Sequence, residues 1–96
     1  MKWSEVVEAT LGIEAWDGDE AALLLDLARE IAHNTERRFA PLTAYAVGLA
    51  VGAAARNAAP GSDDSLVPRA RRAPLLEGHA AALRDALNEH AEDWDA

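Results

Sequence analysis

The sequence predicts an all-α fold, on three observations. Apolar residues recur three and four apart in separate stretches, the signature of one-sided helices. Residues that start and stop helices sit at the edges of those stretches. The residues that favour strands are scarce: the aromatics are three Trp, one Tyr and one Phe, so much of the apolar content is alanine. Ninety-six residues make a single domain over 1–96. The expected architecture is a small four-helix bundle with a buried central third helix and a long loop before the fourth.

The first helix follows from Trp3, Val6, Val7, Thr10 and Leu11, spaced along one face with Glu5 and Glu8 outside. Gly12, in a left-handed conformation, is expected to end it, with Ile13 folding back on Val7. Asp17 caps the second helix and Glu20, three residues on, reaches back to its N–H. Leu24, Leu27, Ala28, Ile31, Ala32 and Thr35 form its inner face, which Leu23 and Leu25 widen. The third helix is expected to start near Pro41, whose missing N–H is harmless at a first helical position. Its stretch Phe39 to Ala55 carries no charge and is apolar on every side, so it should need neighbours all round. Gly48 and Gly52, each costing about 1 kcal/mol against Ala, suggest a closely approaching backbone. Asn57 to Pro74 holds three prolines and no helical period, and a mobile loop is expected there. A last helix from Leu75 to Trp94 repeats Leu76, Ala80, Leu83, Leu87, Ala91 and Trp94 as one seam.

A net charge of −8 disfavours nucleic acid and anionic membranes as partners, since phosphate affinity rests on Lys and Arg. Without cysteine there is no disulfide or thiolate site. The opening Met-Lys-Trp-Ser-Glu lacks the apolar run of a signal peptide, so a cytoplasmic location is expected. Phe39 to Ala55 falls short of the ~20 apolar residues of a membrane span.

Asp26, Arg29, Glu30, His33 and Arg37 meet as a polar stripe on the second helix. Arg29, His33 and Arg37 have the chemistry to hold a phosphate or carboxylate while Asp26 orients one of them. A solvated, ion-paired face is the structural reading of the same residues. Glu30-Ile-Ala-His33 has the spacing of a di-iron ligand pair, but a single outward-facing copy makes no metal site. His79 and His90 lie about 16 Å apart along a helix, too far to share an ion. Ser4, Ser62 and Ser65 have no paired histidine and no glycine-rich phosphate loop occurs, so neither enzymatic activity nor a cofactor is expected. Arg69-Ala-Arg-Arg72 is expected to be solvated.

Asp26-Leu-Ala-Arg-Glu-Ile-Ala-His33, Arg38-Phe-Ala-Pro-Leu-Thr43 and Val47-Gly-Leu-Ala-Val-Gly52 resemble a small helical domain family of unknown function. Its members occur alone or appended to the molybdenum cofactor guanylyltransferase, the molybdopterin-guanine dinucleotide biosynthesis enzyme. The matching positions are Asp26, Arg29, His33, Pro41, Leu42, Thr43, Gly48 and Gly52, and the segment Asn57 to Pro74 departs from the pattern. The resemblance implies a non-catalytic accessory role near molybdenum cofactor guanylylation.

The expectation is therefore a protein-interaction domain, its surface formed by the Asp26 to Arg37 stripe and the Pro41-Leu42-Thr43 turn. Its partner would be a protein, either the guanylyltransferase or a second copy of itself. The alternative is a small-molecule or nucleotide-binding protein holding an anion among Arg29, His33, Arg37 and Thr43, near the N-terminus of the third helix.

Overall fold

The computed structural model describes residues 2–58 and 69–89. Four helices follow in order: α1 (Trp3–Leu11), α2 (Gly18–Asn34), α3 (Phe39–Ala58) and α4 (Arg69–Glu89). The fold is all-α, and α2, α3 and α4 pack against one another, with α3 touching both of the others.

Local chemistry places the helix ends. Gly12 ends α1 at φ 65°, a left-handed conformation that costs glycine little. Ile13 then lines a groove beside Trp16 and α3. Asp17 accepts from the Glu20 N–H at 2.8 Å, and Glu20 Oε1 accepts from the Asp17 N–H at 3.3 Å, completing the expected capping box. At the other end of α2, Thr35 donates its hydroxyl to the Ile31 carbonyl at 2.6 Å and Asn34 donates to the Glu30 carbonyl at 2.8 Å. These side chains satisfy carbonyls near the helix end, where intrahelical partners run out.

The core comprises Leu27 and Ile31 from α2, Val47 and Val51 from α3, and Leu76 and Ala80 from α4, flanked by Leu23, Leu24, Phe39, Leu75, Leu83 and Leu87. The expected faces of α2 and α4 are thus the buried ones, except that Leu25 is exposed. Ala91 and Trp94 lie outside the described residues.

Four expectations are corrected. First, α3 begins at Phe39, not Pro41: the Phe39 and Ala40 N–H groups bond to Glu36 and Arg37 carbonyls, which puts Pro41 third in the helix, still within the turn whose N–H groups have no α-helical partner. Second, α3 is central but not buried all round. Val47, Val51 and Ala55 face the core, while Leu42, Tyr45 and Leu49 are 60%, 69% and 58% exposed, because among the described residues only α2 and α4 cover it. Third, a Cβ added at Gly48 or Gly52 would meet nothing within 4 Å, so among the described residues no backbone approaches there. Fourth, the expected loop from Asn57 to Pro74 is trimmed from both sides: α3 runs to Ala58 and α4 starts at Arg69, with Pro74 as its sixth residue. The part between, 59–68, lies outside the described residues.

Arg72, expected to be solvated, is instead the chief polar tie of the fold. Its Nε donates to Glu20 Oε2 at 2.9 Å and its Nη2 to Glu20 Oε1 at 2.6 Å, a bidentate pair with both side chains largely buried. The same guanidinium donates to the carbonyls of Glu14 and Ala15. It therefore fastens the start of α4 to the α1–α2 connection and to the capping box. Removing one partner of such a pair strands the other charge away from water.

Two stability predictions follow from this packing. Arg72→Met should cost about 3 kcal/mol in urea unfolding, and adding Glu20→Gln should restore much of it, since the stranded carboxylate is then gone. Gly48→Ala and Gly52→Ala should each stabilise by roughly 1 kcal/mol, read as a higher melting temperature in dilute protein.

Candidate functional site

Helical spacing puts Asp26, Arg29 and His33 on the side of α2 away from its buried Leu27 and Ile31, and all three are exposed. Asp26 and Arg29 form an open ion pair at 3.8 Å. Glu30 is drawn instead toward α4, where Arg84 Nε donates to its Oε2 at 2.9 Å. Arg37 is exposed in the turn before α3. Its neighbour Arg38 donates to Glu36 at 2.6 Å and lies 5.0 Å from the centre of the Phe39 ring.

Thr43 does not join this group. It lines crevices against Leu27, Ala28 and Ile31 on one side and against His79 and Leu83 on the other, so it faces the inner side of α2. The stripe is thus an open face of exposed and ion-paired groups. Grooves of about 340, 490 and 530 Å3 take no lining residue from Asp26, Arg29, His33 or Arg37. Among the described residues no cluster of His, Asp or Glu could hold a metal ion. His90 lies outside them.

The larger surface feature is apolar. On α3, Leu42, Tyr45 and Leu49 stand as a ridge along the outer face. A groove of about 340 Å3 runs on one flank, between α3 and the α1–α2 connection, lined by Ile13, Trp16, Gly48 and Gly52 among others. A second of about 490 Å3 runs on the other flank, between α3 and α4, bordered by Ala46, Ala50, Ala82 and Leu83. The ridge carries no charge, because Phe39 to Ala55 has none, while the first groove also takes in Glu14, Glu20 and Arg72 beside its apolar residues.

Helix α1 adds to this surface. No Cα of α1 comes within 8 Å of another helix, and none of its residues is buried. Lys2, Ser4, Glu5 and Glu8 line the space facing the start of α2, and Glu8 accepts from the Ala15 N–H at 2.9 Å. Of its apolar stripe, Val6 and Val7 are half-buried, while Trp3 and Leu11 are 70% and 66% exposed. Monomeric proteins rarely leave large contiguous apolar patches in water.

Sequence reasoning missed this surface by equating an apolar helix with a buried one. The available signal was supply: α1, with nine residues, and α2 and α4, with one apolar face each, cannot enclose a helix that is apolar all round.

By length and composition alone, Phe39–Asn57 could also cross a membrane. In this fold it is a packed helix whose Val47, Val51 and Ala55 meet the core.

No curated protein and no solved structure matches the chain. A family model does, over residues 1–95, under the description Domain of unknown function (DUF6457). With a match running almost end to end, the chain belongs to that family.

Proposed function

We propose that this chain is a non-catalytic interaction domain that works by presenting the outer face of α3 to another protein. The observation that carries this reading is the uncharged ridge of Leu42, Tyr45 and Leu49, more than half exposed at each residue and flanked by two apolar grooves. A central aromatic with aliphatic neighbours is the composition of an interface core, and the polar stripe of Asp26, Arg29 and His33 suits a solvated face elsewhere on the molecule. Leu42 belongs both to this ridge and to the turn that the sequence singles out.

The resemblance to domains appended to the molybdenum cofactor guanylyltransferase makes that enzyme the first heterologous partner to try. In that setting the domain is an accessory that positions or stabilises, and the chemistry belongs to its partner.

A photo-crosslinking amino acid at position 45 should give a discrete protein adduct in cells, whereas one at Leu25, exposed on α2, should not. If position 45 captures nothing above the Leu25 background, the ridge is not a contact surface and the reading fails.

A further inference from the structure

Resting on that reading, we propose that the partner on this face is a second copy of the chain, in a two-fold dimer in which the exposed Trp3 and Leu11 of each α1 pack on the α3 ridge of the other copy. The first support is the orientation of α1. In this helix Glu8 is half-buried, while its two largest apolar side chains, Trp3 and Leu11, are left mostly in water. The Glu8 contact to the Ala15 N–H holds it in that attitude, so α1 does not cover its own α3.

The two surfaces also match in size. Trp3 to Leu11 spans about 12 Å of helix and Leu42 to Leu49 about 10.5 Å. Ile13 and Trp16, which lead from α1 to α2, border the groove beside the ridge, so the chain leaving α1 runs along the flank of α3. A two-fold interface requires both complementary surfaces on each copy, and here each copy has them.

Area decides between this and an incidental patch. Trp3, Leu11, Leu42, Tyr45 and Leu49 together leave on the order of 500 Å2 of apolar side chain per copy in water, or about 1,000 Å2 for the pair. Homodimer interfaces are about 65% apolar, so the full contact would be roughly 1,500 Å2, inside the ~1,200–2,000 Å2 of stable interfaces. Two chains of charge −8 repel, but the stripe and the ridge are themselves uncharged, so the repulsion lies outside the contact and is screened by salt.

Sedimentation equilibrium of the full chain tests this. The wild type should sediment at twice the chain mass at about 50 μM, more tightly as salt rises from 0.05 to 0.5 M, screening the −8 charges. Tyr45→Glu/Leu49→Glu and Trp3→Glu/Leu11→Glu should each weaken the dimer at least about tenfold with helical circular dichroism unchanged, since these side chains are already in water. Leu25→Glu, exposed outside the contact, should leave it intact. A wild type that stays monomeric to 100 μM overturns the proposal, as does a dimer insensitive to either pair. A monomer whose position 45 still crosslinks to a different protein overturns the dimer alone and leaves the contact reading standing.

Discussion

The arrangement of this molecule depends on one guanidinium. Arg72 sits where the beginning of α4 meets the beginning of α2, and its donors reach both Glu20 oxygens and the carbonyls of two successive residues in the α1–α2 connection. Glu20 at the same time closes the capping box of α2. The backbone at 14–15, which would otherwise be a surface turn, is thereby fixed, and the buried Ala15 passes its N–H to Glu8. A continuous polar chain thus runs from α4 through the connection to α1. Such a network is costly when incomplete and specifying when satisfied, and among the described residues no buried side-chain polar atom lacks a partner.

That network anchors α1 through Glu8, and Trp3 and Leu11 are left mostly in water. Among the described residues α2 and α4 alone pack on α3, and they leave Leu42, Tyr45 and Leu49 mostly in water. The resulting surface is mostly uncharged and is set among acidic groups, so its character differs sharply from the rest of an acidic protein.

What the sequence made legible was what is local along the chain. The stop at Gly12, the pairing of Asp17 with Glu20, and the seam of Leu76, Ala80, Leu83 and Leu87 each need only neighbours within a few turns, and the structure has them all. The Arg72 partnership joins residues 52 positions apart across a proline-rich segment, so no spacing rule reaches it. Prolines also misplaced the start of α4, since Pro74 reads as a breaker yet sits close enough to the helix start to be accommodated. On the candidate site, the exposure of Asp26, Arg29 and His33 was legible from spacing, whereas the position of Thr43 against the inner side of α2 depends on how α3 docks. The ridge on α3 was hidden for a further reason: a helix wheel shows which residues are apolar but not how many neighbours arrive to cover them.

Pro74 has a consequence for how the structure opens. Lacking an N–H, it cannot bond to the Ala70 carbonyl, so the first turn of α4 is tied to the rest of that helix by one backbone bond fewer. Arg72 lies within that weakened turn and adds side-chain contacts that help hold it in place. Fraying there releases Glu20, the carbonyls at 14–15 and the anchorage of α1 together, while the Leu76 and Ala80 contacts below stay closed. The start of α4 and α1, two segments far apart in the chain, are thus coupled mechanically through a single side chain.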